Sequence, residues 1–186
     1  VISFTGSNAV GQRIMADAAP TMKKLSLELG GKSCCIVLDD ADIGVVAPKL
    51  AAAATIISGQ QCTAARRVLV HESRLDEAKS ALSAALQAVS IGDGMSDGAA
   101  MGPLIDIQSR DRVMRDCGTV YDTADEVVLR GGPLDGPKGS AFMSPALVVH
   151  SDPNASFVQD EIFGPLVVLE TFRDEADAVA KANNTV

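Results

Sequence analysis

The segment SGQQCTAARRV, residues Ser58–Val68, places one cysteine in a turn between two regular elements. An alanine-rich apolar stretch precedes the turn and a β-branched run follows it, which predicts a helix, a turn and a strand. A free thiol has a pKa of about 8.5 and becomes a good nucleophile where a helix N-terminus or a cation stabilises the thiolate. Thr63-Ala64-Ala65 is predicted to open a short helix whose amides face the sulfur and can hold an oxyanion.

Cys62 also has a structural interpretation, because a lone cysteine among alanines is more often a buried small hydrophobe. Three other segments favour the catalytic interpretation of Cys62, since each places a polar or aromatic residue beside a glycine break. They are FTGSNAVG at residues 4–11, LELGGKS at residues 27–33 and DEIFGP at residues 160–165.

Each of these segments can be interpreted in two ways when it is taken alone. Glu28 is either an exposed strand carboxylate or a general base whose pKa is raised by its apolar neighbours. Gly6 and Gly11 are either turn residues or part of a strand–turn–helix unit that receives a phosphate or a polar cofactor edge. Phe163 is either an ordinary core residue or part of a site.

Together, in this order and at these spacings, the four segments resemble the aldehyde dehydrogenase superfamily. The resemblance rests on FTGS and GSxxVG at residues 4–11, ELGGK at 28–32, GQQC at 59–62 and EIFGP at 161–165. It extends through IVLDDADI at 36–43, MGPL at 101–104 and KANNT at 181–185. It therefore covers essentially the whole chain.

The resemblance implies a role for each matched residue. Cys62 is implied to be the nucleophile that carries a hemithioacetal and then a thioester, with its backbone N–H as one oxyanion donor. Glu28 is implied to be the base that activates water to release the carboxylic acid. NAD or NADP is the implied cofactor, and the residues implied to contact it are Thr5, Gly6, Ser7, Leu29, Glu161 and Phe163.

Within that set, Glu161 resembles the carboxylate that takes the ribose hydroxyls, and Phe163 the ring that packs near the nicotinamide. Lys32 belongs to the matched motif and is interpreted as structural. Arg66 and Arg67 are interpreted as surface or salt-bridging residues, with support of a thiolate or of an acidic substrate as the alternative.

The resemblance also implies how the chain is divided. Residues 1–29 are expected to be the C-terminal remnant of a nucleotide-binding, Rossmann-like domain. Residues 30–186 are expected to form a catalytic, thiol-bearing domain that is truncated at its end. The isolated fragment is expected to be inactive, unable to bind NAD and poorly soluble, because Val10 and Ile14 would expose apolar faces that promote association.

Composition limits the classes of partner. The chain has 186 residues, 47% of them hydrophobic, and a formal net charge of −8, and it has no basic stripe, which excludes nucleic acid as an expected partner. Four cysteines and two histidines match neither a disulfide framework nor a zinc site, so no metal is expected and a reducing, cytoplasmic compartment is predicted. No membrane span is predicted.

The partners implied by the resemblance are a small-molecule aldehyde and further copies of the parent enzyme, as a homodimer or homotetramer.

Periodicity predicts an α/β fold with a mostly parallel sheet. Strands are predicted at residues 1–5, 23–29, 33–38, 67–71, 126–129, 146–150 and 166–172, and the strand at 33–38 is expected to be covered inside the sheet. Helices are predicted at residues 8–18, from the Asp39–Asp42 cap to about 57, at 75–89 after a Ser73–Asp76 capping box, at 106–123 and at 174–183. Pro48 is expected to kink the second helix.

Three rival functions remain at this point. A coenzyme-A-acylating relative would share Cys62, but such relatives commonly lack the glutamate of ELGGK. A non-catalytic scaffold of the same fold would not need Cys62, Glu28 and Glu161 together. A thiol hydrolase without a nicotinamide cofactor would need a histidine partner for Cys62.

Overall fold

The computed structural model describes residues 1–134 and 140–185. The chain forms two compact units, Val1–Gly31 and Lys32–Val186. The glycine- and proline-rich stretch at residues 131–139 is expected to be a turn-rich excursion, and its residues 135–139 lie outside the described residues. Within 1–134 and 140–185, no helix is both long enough and apolar enough to cross a membrane.

The first unit is a strand–helix–strand element. Strand β1 (Ile2–Thr5) is followed by helix α1 (Asn8–Ala18) and strand β2 (Leu25–Glu28), and the strands pair in parallel with Thr5 opposite Glu28. Side chains alternate along β2, whose leucines are half-buried while Glu28 is exposed. Helix α1 packs closely on Leu29, since a Cβ built on Gly11 would lie 2.6 Å from Leu29 Cδ2.

The second unit contains a five-stranded sheet in the order β3-β4-β7-β6-β5. All pairings are parallel except that of β5 with β6, so the prediction of a mostly parallel α/β fold is confirmed. The strands are β3 (Cys34–Val37), β4 (Arg67–His71), β5 (Glu126–Leu129), β6 (Ala146–Val149) and β7 (Leu166–Phe172). The helices are α2 (Ile43–Thr55), α3 (Leu75–Gln87), α4 (Ile107–Thr123), α5 (Ser156–Gln159) and α6 (Glu175–Ala182).

Helices cover both faces of this sheet. Alternate residues of the central strand β7 enter different cores: Val167 and Leu169 pack with α2 and α3, whereas Val168 packs with α4 and α5. Because successive side chains of a strand point to opposite faces, this division places α2 and α3 on one face and α4 and α5 on the other. The short α5 was not predicted from the sequence.

Two local predictions, for β3 and for the start of α3, were wrong, and the kink expected at Pro48 stays a prediction. Among the described residues, strand β3 is an edge strand whose one neighbour in the sheet is β4, and Ile36 is 39% exposed. Helix α2 runs without a break through Pro48, whose missing N–H would have met the carbonyl of Gly44, and Gly44 is open to water. Helix α3 starts at Leu75 without a side-chain cap, since the Ser73 N–H bonds His71 Nδ1 instead, at 3.3 Å.

Candidate active site

Cys62 lies in a turn that differs from the predicted one. The Ala64 N–H donates to the Gln61 carbonyl at 3.0 Å, and no helix begins at Thr63. The chain cannot coil there because the N–H groups of Arg66 and Arg67, which a helix opening at Thr63 would bond back to Cys62 and Thr63, both donate to the Ser33 carbonyl at 3.1 Å. The expected helix N-terminus facing the sulfur was therefore wrong.

The Cys62 side chain itself is exposed. Its carbonyl accepts a hydrogen bond from Ser33 Oγ at 3.2 Å. Within residues 1–134 and 140–185 its backbone N–H makes no hydrogen bond. An accessible thiol and an uncommitted amide on one residue can add to a carbonyl group and hold the resulting oxyanion.

We call residues 57–64 the thiol loop, and its first residues have an uncommon backbone. Ile57, Ser58 and Gly59 have φ angles of 47°, 57° and 70°. Left-handed backbone costs a non-glycine residue about 1–2 kcal/mol, so the surrounding contacts must impose this shape on Ile57 and Ser58.

Those contacts come from the MGPL segment. Ser58 Oγ donates to the Gly102 carbonyl at 2.8 Å, and its second acceptor is the Pro103 carbonyl at 3.1 Å. The Ile105 N–H donates to Gln60 Oε1 at 2.9 Å. In the sequence, MGPL contributed only to the family resemblance. In the structure, this segment and the Ile105 that follows it anchor the thiol loop.

Arg66 lies beneath the thiol loop and is 1% exposed. Its Nη2 donates to the carbonyl of Gly59 at 2.9 Å and to that of Gln61 at 3.0 Å. Because these acceptors lie on either side of Gln60, one nitrogen fixes the backbone that leads into Cys62.

The same guanidinium contacts residues 160–165, which we call the carboxylate loop. Its Nη1 donates to the carbonyls of Ile162 at 2.8 Å and Gly164 at 3.3 Å, and Nε donates to Glu161 Oε1 at 3.2 Å. Its carbon Cζ lies 5.4 Å from the centroid of the Phe163 ring. Burial lowers the pKa of Arg66, while the Glu161 carboxylate and the Cys62 thiolate oppose that shift.

Glu161 and Phe163 both present groups that are open to a ligand. The Glu161 side chain is 17% exposed, and in the described chain its Oε2 makes no hydrogen bond. Phe163 is 41% exposed. Glu161 also lines a surface cavity of about 230 Å³ with Asp116, Asp160 and Ser156.

Two further cations are buried near this site. Arg67 is fully buried and forms a two-point ion pair with Glu170, with oxygen–nitrogen distances of 2.6 and 2.9 Å. Lys32 is 9% exposed, and its burial, reinforced by the charges of Arg66 and Arg67, lowers its pKa to about 7. The salt-bridging interpretation of the two arginines agrees with these contacts, but their burial was missed. The sequence did offer a signal for this burial, because the two arginines follow two alanines and precede the apolar residues of β4.

The remaining predicted residues belong to the first unit, where they gather at one end of its strands. The Gly6 N–H donates to the Glu28 carbonyl at 3.0 Å, and Thr5 pairs with Glu28 across the sheet. Ser7 is the N-cap residue of α1 and makes no side-chain capping bond. Leu29 follows directly after Glu28. The structure thus groups Thr5, Gly6, Ser7, Glu28 and Leu29 in one unit, and Cys62, Glu161 and Phe163 in the other.

The other cysteines have different surroundings. Cys117 is completely buried on α4, whereas Cys34 and Cys35 are half-buried on β3. Burial raises the pKa of both Cys34 and Cys117 to about 11. Among the described residues, no group of three or more histidine, cysteine or acidic side chains is placed to hold a metal ion.

Comparison with known proteins identifies the family. The sequence matches the profile of the aldehyde dehydrogenase family over residues 1–186. The chain belongs to the aldehyde dehydrogenase family. It is 40% identical over 185 residues to the mitochondrial succinate-semialdehyde dehydrogenase of Arabidopsis thaliana, covering 100% of this chain and 35% of that protein. It is 36% identical to the succinate-semialdehyde dehydrogenase [NADP(+)] of Escherichia coli K12, covering 99% of this chain and 38% of that protein.

Solved structures of aldehyde dehydrogenases share the fold. A cysteine-to-alanine variant of aldehyde dehydrogenase C from Pseudomonas syringae, in complex with NAD+ and octanal, superposes with a TM-score of 0.94 at 32% identity. That match covers 100% of this chain and 39% of the other. Betaine aldehyde dehydrogenase from Staphylococcus aureus, in complex with NAD+, gives 0.88 at 32% identity over 99% of this chain and 37% of the other. The chain therefore spans well under half the length of these relatives.

Proposed function

We propose that the protein carrying this segment oxidises an aldehyde to a carboxylic acid with NAD or NADP as cofactor. The observation that carries the proposal is the exposed Cys62 with its uncommitted N–H, on a loop held rigidly by buried contacts. The relatives support it: two solved structures are described as NAD+ complexes, one also with octanal, and one relative is named for NADP(+).

The chemistry begins at the sulfur of Cys62. The thiolate forms a C–S bond to the aldehyde carbon, and the carbonyl electron pair moves to oxygen, where the Cys62 N–H stabilises the negative charge. NAD or NADP, when bound, would supply the acceptor for the aldehyde hydrogen and its electron pair, and Cys62 would then carry a thioester. Thioesters remain open to attack by water, so the acyl group can leave as an acid.

Glu28 is proposed to complete the cycle. Its carboxylate takes a proton from water as the water oxygen bonds to the thioester carbon. The C–S bond then breaks, the carboxylic acid leaves, and the Cys62 thiolate is restored. Glu28 is exposed at the end of β2, as the interpretation of an exposed strand carboxylate expected, so its role as the base rests on the family resemblance.

The residues proposed for the cofactor fit its chemistry. Ser7 makes no capping bond, which leaves the first amides of α1 open to a phosphate or a carboxamide oxygen. Glu161 keeps one carboxylate oxygen without a hydrogen bond in the described chain, as binding a ribose hydroxyl requires. The exposed ring of Phe163 offers an apolar face. Thr5, Gly6 and Leu29 are the remaining residues proposed to contact the cofactor.

The hydrolase alternative is disfavoured by the two histidines. His71 bonds Ser73 Oγ at 2.8 Å and the Arg173 carbonyl at 3.0 Å. His150 is buried against Phe157. Neither histidine hydrogen-bonds Cys62 in the described chain, so no imidazole is in place to activate the thiol.

A single assay separates the remaining possibilities. The full-length protein is mixed with NAD or NADP and a panel of aldehydes, with and without coenzyme A, and reduced cofactor is followed at its absorbance. We expect reduction without coenzyme A and a free acid as product. Activity that depends on coenzyme A would favour the acylating alternative, and no reduction under any condition would favour a non-catalytic scaffold.

Assembly and compartment stay predictions. A homodimer or homotetramer of the full-length protein is checked by light scattering coupled to size-exclusion chromatography. A cytoplasmic location is checked by cell fractionation, with the mitochondrial fraction as the contrary result, since one relative is named as mitochondrial.

A further inference from the structure

Arg66 joins two segments that are far apart in the sequence. The thiol loop and the carboxylate loop are about a hundred residues apart, yet both contribute carbonyl groups to one guanidinium. Four carbonyl oxygens and one carboxylate oxygen accept from its three nitrogens. Such a planar fork has its hydrogen-bond directions fixed by geometry, so the positions of its acceptors are fixed relative to one another.

We propose that Arg66 is a positioning residue that holds Cys62 and Glu161 in one arrangement, so that the thiol and the carboxylate are set together. The catalytic consequence rests on the proposed function, in which Cys62 attacks the aldehyde and Glu161 binds the cofactor ribose. The geometric link itself is independent of that function.

Burial makes this link strong. Arg66 is 1% exposed, so its contacts face little competition from water, and hydrogen bonds to charged groups are stronger than those between neutral groups. The positive charge of Arg66 also interacts with both loops, since the Glu161 carboxylate and the Cys62 thiolate are the anions that favour its protonated form. A lysine would keep the charge but not the planar fork, and one ammonium cannot reach both loops with the same geometry.

The neighbouring Arg67 provides a matched control. It is equally buried and paired with a carboxylate, but its partners are Glu170 and the Lys181 carbonyl. In the described chain it makes no hydrogen bond to the thiol loop or the carboxylate loop. A purely structural role would make the two arginines equivalent, whereas the proposal makes them different.

The test compares Arg66→Lys with Arg67→Lys in the full-length protein. The alkylation rate of Cys62 by iodoacetamide at pH 7 without cofactor is measured by peptide mass spectrometry, alongside KM for the cofactor, kcat and Tm. We expect Arg66→Lys to change the alkylation rate by about fivefold or more and to raise KM for the cofactor by about tenfold or more. Arg67→Lys is expected to lower Tm while leaving both quantities within about twofold.

Two results would overturn the proposal. One is an Arg66→Lys protein with a lower Tm but wild-type alkylation and cofactor KM. The other is an equal change of alkylation in both variants, which would indicate general loosening. If the wild type reduces no cofactor with any aldehyde, the proposed function fails, but the alkylation comparison still decides the role of Arg66.

A second pair of variants serves if Arg66→Lys does not fold. Glu161→Gln removes the carboxylate partner of Arg66, and Glu170→Gln removes that of Arg67. No hydrogen bond joins Glu161 to residues 57–64 in the described chain, so Arg66 is the hydrogen-bonded route by which a change at Glu161 reaches Cys62. We expect Glu161→Gln to shift Cys62 alkylation about threefold and Glu170→Gln to leave it unchanged. An unchanged rate in Glu161→Gln would contradict the link.

Discussion

Gly59 lies directly against the backbone of Gly164. A Cβ built on Gly59 would stand 2.4 Å from both the carbonyl carbon and the carbonyl oxygen of Gly164, and Gly59 has a φ of 70°. Both features require glycine, because the clash involves backbone that cannot rotate away and the backbone conformation is left-handed. At Gly59 the thiol loop and the carboxylate loop are therefore in van der Waals contact. The hydrogen bonds of Arg66 hold the two loops together.

Gly59→Ala is therefore expected to lower the free energy of unfolding by on the order of 3 kcal/mol or more. Gly118→Ala is the matched control, because Gly118 lies inside α4 and a Cβ there would meet no atom within 4 Å. That change is expected to stabilise the protein by about 0.5–1 kcal/mol. Urea denaturation of both variants measures the two effects, and a neutral Gly59→Ala would contradict the contact.

Cys62→Ala in the full-length protein is expected to abolish aldehyde oxidation, because the covalent route to the acid needs the thiolate. The loss should amount to several orders of magnitude in kcat. Alanine at Cys34, Cys35 or Cys117 is expected to leave most of the activity, with Cys117→Ala also lowering stability because that side chain is completely buried. Steady-state rates and thiol labelling check this, and loss of activity on changing Cys117 with Cys62 intact would reassign the nucleophile.

Glu28→Gln is expected to separate acylation from deacylation. Loss of a positioned general base costs on the order of a hundred- to ten-thousand-fold, so a thioester should accumulate on Cys62. Stopped-flow absorbance should show a burst of reduced cofactor followed by slow turnover, and mass spectrometry should find the acyl group. Asp17→Asn, which changes an exposed carboxylate on α1, is the control and should turn over normally. Undiminished turnover in Glu28→Gln would remove Glu28 from the mechanism.

Lys32→Met is expected to raise stability in a pH-dependent way. Burial lowers the pKa of Lys32 from 10.5 to about 7, so the folded state releases this proton at lower pH than the unfolded state. Below about pH 7 both states are protonated and the full cost of the buried charge is present; between about 7 and 10.5 the wild type gains stability as pH rises. The advantage of the methionine variant should thus be largest near pH 6 and smaller by on the order of 3 kcal/mol near pH 10.

Denaturation of Lys32→Met at both pH values measures this difference. Lys49→Met is the control, because Lys49 is exposed on α2, and its effect should be the same at both pH values. An advantage of Lys32→Met that does not change with pH would show that the amine is not desolvated in the folded protein.

Local patterns predicted the regular elements well. The bounds of α1, β4 and β7 agree with the structure, because apolar periodicity and glycine breaks act over a few residues. The wrong predictions concern places where a segment distant in the sequence determines the local conformation. The helix expected at Thr63 does not form because the Ser33 carbonyl takes the Arg66 and Arg67 amides, and in the described chain β3 is an edge strand because the order of strands in a sheet depends on the whole topology.

The sequence by itself determined the family, the α/β class and the identity of the candidate residues, since these depend on residue type, order and spacing. Tertiary structure alone decided which carboxylates Arg66 and Arg67 meet. Their partners are separated from them by 95 and 103 residues in the chain. A buried ion pair is set by the packing of strands and loops that bring two such residues together, and no local pattern records which charges will meet.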